Sequence, residues 1–194
     1  MISAGREDVD VRMLGRGRPF ALELSDPKVA TCSTDQLAEV TAQLLADPDA
    51  YGGVQVRALQ LITSEQLKGL KAGEEHKRKE YVARVRLDRP VTPEDAARLS
   101  GLTDLAVAQR TPVRVSQRRS DLVRHKVIHK MRVEIVSEGD GREFDLFMTT
   151  SAGTYVKEFV HGDRGRTDPC VGVLLGCKAE ILSLDVLEIL MDWL

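Results

Sequence analysis

Apolar positions along the chain fall mainly into alternating runs, which predict strands, separated by shorter helical stretches. Val9, Val11 and Met13 alternate with Asp8, Asp10 and Arg12, the period of a half-buried strand. The other face of that strand carries two carboxylates and a guanidinium, either a solvated face or the floor of an active site. "PFALEL" (19–24) and "VQVRALQLI" (54–62) alternate in the same way. So does "EYVARVRL", with Tyr81, Ala83, Val85 and Leu87 on one side. Two strands, Val123 to Val136 and Arg142 to Thr150, flank Gly139-Asp140-Gly141, which reads as a hairpin turn. Ser33-Thr34-Asp35-Gln36 reads as a capping box opening a helix with Leu37, Val40, Leu44 and Leu45 on one face, stopped by Pro48. Thr63 to Gln66 caps a second helix, weakened by glycine, and Thr92-Pro93-Glu94-Asp95 starts a short one with proline at its first position. Val156, Phe159 and Val160 predict a helix in "TYVKEFVHG". Strands predominate, hairpin spacings recur, and there is no βαβ repeat. The expectation is one α+β domain over residues 1–194, a mixed, largely antiparallel sheet flanked by helices.

Composition narrows the class. At 194 residues, 42% hydrophobic and 30% charged, the chain can bury one good-sized core and is not of disordered composition. No apolar run approaches a membrane span, and the N-terminus has no signal-peptide core, which argues for a protein without membrane partners. Cys32, Cys170 and Cys177 form no C-x-x-C pair and read as free thiols of a reducing compartment, without zinc. The net charge of −2 hides an asymmetry: between Arg110 and Arg132 eight Lys or Arg residues face one acid, Asp121, a local charge of +7. A charge run is usually a solvated face. Here the basic residues interrupt strand-like apolar positions, so they line a structured surface, the footprint of phosphate-backbone binding. His125 and His129 stand four apart, but on a strand pattern, and "HKVIH" lacks the glutamate of a zinc protease. Glu7, Asp8 and Asp10 leave open a magnesium-dependent nuclease, and the basic run leaves open a noncatalytic RNA-binding module.

Three stretches carry further chemistry: "GREDVDVR" with its carboxylates, "KRKEYVARVRL" with a tyrosine beside basic residues, and "TSAGTYVKEF", where small residues lead through Tyr155 to Lys157. As an ordered set they resemble the pseudouridine synthases. Gly5-Arg6-Glu7-Asp8 is similar to the motif carrying that superfamily's essential aspartate, which assigns the role to Asp8 and not Asp10. Lys79-Glu80-Tyr81 resembles the motif whose tyrosine packs on the target base. Ser151 to Lys157 resembles the segment whose basic residue pairs with the aspartate. "AGREDVDVRMLGRGRPF", "QRTPVRV", "AGTYVKEFVHGDRGRTDP" and "AEILSLDV" are most similar to the archaeal and eukaryotic tRNA pseudouridine synthases of the Pus10 type, in which lysine stands at the position of Lys157.

The resemblance implies the pseudouridine synthase fold and isomerisation of uridine in the T loop of tRNA, at nucleotide positions 54 and 55, by an intracellular enzyme of the cytoplasm or nucleus. It implies no cofactor and no metal, because nothing is oxidised and no group is lost, and a monomer acting on tRNA. Asp8, Lys157 and Tyr81 are the implied catalytic residues. Lys157 holds Asp8 ionised, and Tyr81 stacks under a flipped uracil. Whether the carboxylate adds to the sugar, adds to C6 of the ring or deprotonates C2′ stays open. Tyr155, Arg6, Arg110, Arg114, Arg118 and Arg119 are expected to touch the RNA. Leu174 in "GVLLG" either walls the pocket or packs in the core. The family's N-terminal half, with its zinc-binding cysteine pairs and THUMP-type region, and the opening of its catalytic domain have no counterpart before Gly5. The resemblance therefore implies an N-terminally truncated form, of low activity until that segment is supplied in cis.

Overall fold

Every second residue of one strand, Tyr81, Ala83, Val85 and Leu87, is buried, and the sheet is built around it. A computed structural model describes residues 1–29, 31–72 and 77–191. In chain order the elements are β1 (Ile2–Ser3), β2 (Arg12–Gly17), β3 (Phe20–Ala21), α1 (Thr34–Ala46), α2 (Ser64–Ala72), β4 (Arg78–Leu87), α3 (Pro93–Ser100) and β5 (Thr103–Arg110). They continue through β6 (Val123–Ile135), β7 (Glu143–Thr150), α4 (Val156–His161), β8 (Thr167–Asp168), α5 (Val171–Leu175) and β9 (Ala179–Leu190).

Seven strands form one sheet in the order β2-β9-β4-β7-β6-β5-β8. All neighbours are antiparallel except β2 and β9. The mixed, largely antiparallel α+β sheet expected from the patterning is therefore present. β4 lies between β7 and β9, and its inward side chains meet Phe144, Leu146 and Met148 of β7 and Leu184 and Val186 of β9 in one core. Leu99 of α3, Val156, Phe159 and Val160 of α4, and Val171 and Leu175 of α5 close that core. The opposite face of β4 carries charge ladders. Arg84 stands opposite Asp145, at 2.7 Å, and Arg86 opposite Glu143, at 2.7 Å. Direct cross-strand pairs of this kind favour one register.

The predicted caps form. Ser33 and Gln36 make the capping box of α1, Thr92 and Asp95 that of α3, and Thr63 accepts from Gln66 N at the head of α2. Arg89 grips Asp95 with both arms, at 2.6 and 2.9 Å, and this hydrogen-bonded pairing holds the Asp95 carboxyl down at about 2. The hairpin of β6 and β7 and the helix in "TYVKEFVHG" are also present.

Four expectations are corrected. The strand read over residues 9–13 starts only at Arg12, because a turn closes from Val11 N to Asp8 O at 3.0 Å and leaves Val9 fully exposed. Val11 and Met13 still pack on the core. "VQVRALQLI" forms no strand: Ala58, at φ 52°, takes a left-handed conformation that breaks an extended run. "PFALEL" contributes only Phe20–Ala21, paired with β1, and Leu22 and Leu24 are exposed. The apolar face expected of α1 packs on nothing deep; Leu37 and Leu44 are partly covered, and no residue of the helix is buried.

β2 follows β9 through a register shift between Met13 and Gly17. Within it Gly15, at φ +61°, lies so close that a Cβ would overlap the Leu187 carbonyl oxygen. Gly15→Ala is expected to destabilise the chain by about 2–4 kcal/mol, strain plus displacement of β9. Gly139→Ala, at φ +91° with open space around it, is expected to cost about 1 kcal/mol. Urea unfolding of the two variants checks the contrast, and equal midpoints would contradict the close packing of β2 on β9.

Candidate active site

A cleft of about 340 Å³ opens where the loop at residues 5–11, the start of β4, the segment after β5 and the start of α4 converge. Two devices place α4. Gln109, buried on β5, exchanges hydrogen bonds with the backbone of Tyr155: Tyr155 N donates to its Oε1 at 2.8 Å, and its Nε2 donates to Tyr155 O at 2.9 Å. Thr154 Oγ1 donates back to Ser151 O at 2.8 Å, closing the turn through Gly153 at φ +68°. With the helix start fixed, Val156, Phe159 and Val160 point to the core while Lys157 lines the cleft.

The loop carries three carboxylates, and each meets a different cation. Glu7 Oε1 accepts from Lys79 Nζ at 2.6 Å and from Arg18 Nη2 at 2.7 Å. Asp8 Oδ2 lies 2.7 Å from Arg114 Nη1 and 3.9 Å from Lys157 Nζ. Asp10 accepts from Lys157 Nζ at 2.7 Å on both oxygens, and that hydrogen bond holds its carboxyl below the ordinary range although the side chain is 71% exposed. The expected Asp8–Lys157 pair is thus the longer contact. Asp8 leans on Arg114, a residue that the sequence reading gave to the RNA backbone. The turn at Asp8–Val11 sets Asp10 under Lys157 and leaves Asp8 between the two cations.

Tyr81 lines the cleft and is 5% exposed. Burial pushes its phenol well above its usual value, with the Glu7 charge adding to the effect, so it stays protonated at neutral pH. The ring and a donor O–H are what it offers, not a base. Tyr155 also lines the cleft, its Oη 3.4 Å from Arg119 Nη1.

Of the residues singled out, Asp8, Lys157, Tyr81, Tyr155, Arg6, Arg114, Arg118 and Arg119 all border this cleft. Arg110 does not; it pairs with Asp121 at 2.9 Å and borders a second depression with Arg164 and Arg166. Leu174 does not either: it packs partly buried against the core, and Leu184 of β9 supplies the wall. The alternation of "AEILSLDV" could have pointed to Leu184. Glu158, buried behind Arg114 at 2.7 Å from Arg114 Nε, had no signal, because a glutamate beside a helical lysine reads as solvated. No group of three His, Cys, Asp or Glu among the described residues is placed to hold a metal ion. The carboxylates proposed for magnesium are each neutralised by a protein cation instead. His129 sits on β6 with Nδ1 2.6 Å from Asp104.

A family model described as "Pus10, C-terminal" matches residues 1–190. The tRNA pseudouridine synthase Pus10 of Xenopus laevis is 46% identical over 191 residues, covering 98% of this chain and 36% of that protein. The human protein of the same name is 44% identical over 98% of this chain and 35% of its own length. That of Thermofilum pendens is 39% identical over 96% of this chain and 40% of its own length. The chain therefore spans between 35% and 40% of the length of these curated relatives. Among solved structures, a chain of a Cbf5-Nop10-Gar1 complex overlaps 58% of this chain and 30% of its own length, with a TM-score of 0.44 and 23% identity. On the match across residues 1–190 and identities of 39–46% over nearly its whole length, the chain belongs to the Pus10 C-terminal family.

Proposed function

We propose that the chain isomerises uridine to pseudouridine in the T loop of tRNA, at positions 54 and 55, with Asp8 as the essential carboxylate. The observation that carries this reading is Asp8 held between Arg114 and Lys157 at the mouth of a cleft walled by Tyr81. The activity for which the relatives are named supports it. In the reaction the C1′–N1 bond breaks and a C1′–C5 bond forms; N1 gains a proton and C5 loses one. The balance needs no electron acceptor, cofactor or metal. An ionised carboxylate suits attack on, or deprotonation of, the sugar or base, and Arg114 and Lys157 place two cations beside it.

The uridine must leave the loop's stack, at a cost of a few kcal/mol, and stacking on Tyr81 offsets about 1–3 kcal/mol of it. Tyr155 offers a second ring. Arg6, Arg118 and Arg119, exposed around the rim, hold the flanking phosphates.

Asp8→Asn is expected to abolish tritium release from tRNA labelled at uridine C5 while RNA binding survives, and Asp10→Asn to lower the rate less than about tenfold, since its carboxylate is the more exposed. Release by the Asp8 variant, or a dead Asp10 variant with a normal Asp8 variant, contradicts the assignment. Binding with a steep salt dependence and no release by the wild-type chain would mark a noncatalytic module, and chelator-sensitive strand scission a nuclease.

Tyr81→Phe is expected to keep at least about a tenth of the wild-type rate, because the ring is retained and the buried phenol does not ionise near neutral pH. Lys157→Met is expected to lose about 100-fold and Lys157→Arg about tenfold or less. Single-turnover tritium release measures all three, and total loss in Tyr81→Phe would give the hydroxyl a chemical step.

A further inference from the structure

We propose that Arg114 is a positioning residue for Asp8, and that the buried Glu158 acts on Asp8 through Arg114. The inference deepens the catalytic reading of this cleft and rests on it. Arg114 stands on a short turn, Val113–Val115, that belongs to no strand. Val115, buried next to it, anchors that turn to the protein, so Arg114 is delivered to the cleft from a fixed point. Its guanidinium spans two carboxylates: Nη1 lies 2.7 Å from Asp8 Oδ2, and Nε 2.7 Å from Glu158 Oε1.

Glu158 needs an explanation of its own. It is 1% exposed, and its Oε2 has no hydrogen-bond partner among the described residues. Burying a carboxylate with one oxygen unpaired is costly, and a solvated or apolar residue at this position would avoid the cost. What the carboxylate supplies is a fixed counter-charge for one edge of Arg114, which leaves the other edge aimed at Asp8. Lys157 and Glu158 are consecutive on α4, and a helix turns about 100° per residue, so they leave it in different directions. Lys157 hydrogen-bonds Asp10 and stands 3.9 Å from Asp8 on one side, and Glu158 holds the cation that grips Asp8 from the other. One short helix therefore sets the carboxylate from two sides, once directly and once through a second residue.

The same geometry separates Arg114 from its neighbours in the basic run. Arg114, Arg118 and Arg119 are all exposed, but neither Arg118 nor Arg119 is paired with a carboxylate among the described residues, which leaves both available to phosphates. Arg114 is committed on both edges before any RNA arrives. A lysine there has one compact charge and cannot span both contacts.

The test is single-turnover tritium release from C5-labelled tRNA with the 194-residue chain in excess, giving the rate at saturation and the half-saturating concentration separately. Arg114→Ala is expected to lower the saturated rate about 100-fold, the penalty typical of a displaced catalytic group, with half-saturation within about threefold of wild type. Added guanidinium ion is expected to restore part of that rate and to leave the wild type unchanged. Arg114→Lys should lose about tenfold. Glu158→Gln should lose about tenfold in the wild-type background and less than about twofold in the Arg114→Ala background, because a residue acting through another has nothing left to act on. A raised half-saturation with an unchanged saturated rate would make Arg114 a phosphate contact and overturn the proposal. An equal loss from Glu158→Gln in both backgrounds would also overturn it, since Glu158 would then act on the fold alone. Should Glu158→Gln not fold, the Arg114→Ala rates and guanidinium rescue decide by themselves. Asp8→Asn run alongside separates the two readings. Release that persists there, or is absent from the wild type, defeats the catalytic reading. A dead Asp8→Asn beside a fully active Arg114→Ala defeats this proposal only.

Discussion

Asp8 stands on backbone that joins no ladder, and a carboxylate in that position can be held in place only by what reaches it from elsewhere. Glu7, Asp8 and Asp10 are each drawn to a cation of a separate element: β4, the turn after β5, and α4. Those elements are fixed by the core and by the amide exchange between Gln109 and Tyr155. The loop inherits its position from them. Ion pairs at a water-exposed surface are weak, and any ligand that covered this cleft would strengthen them by excluding water. The charges that shape the loop are therefore the ones that would act hardest on such a ligand.

The basic run from Arg110 to Arg132 divides once its side chains are placed. Arg110 is spent on Asp121, and Arg132 lies over the Phe147 ring at 3.9 Å. Lys126 donates to Ala152 O at 2.7 Å and steadies the turn into α4. Its ammonium is held below its ordinary pKa by burial. The sequence count of +7 overstates what faces a partner, because roles inside the fold and roles on its rim share the same residue types.

Much of the architecture was legible, for reasons that can be named. β4 alternates cleanly because one face is core and the other carries cross-strand charge pairs, so period and burial agree. Thr92 and Asp95 announce α3 because a capping box is local chemistry that no tertiary contact needs to supply. "VQVRALQLI" misled because its alternation had no sheet to join, and Ala58 turns the chain out of line. β9, twelve residues long and paired with both β2 and β4, was not singled out as an element: "AEILSLDV" alternates, but its partners lie across most of the chain. Asp8, Tyr81 and Lys157, read from the motifs, do border one cleft. The Arg114–Glu158 link was not legible, because contact between residues 44 apart comes from folding and not from spacing.

Helix α1 has a good cap and no buried residue, and the segment around it, from Leu22 to Leu61, exposes many of its large apolar side chains. A thirteen-residue helix without tertiary packing is near the margin of independent stability. Its amides therefore open through local fluctuations, while those of β4, β7 and β9 open only when the sheet itself comes apart. Deuterium would enter the chain in two waves. The early one would pass through α1 and its surroundings, none of whose residues lines the cleft.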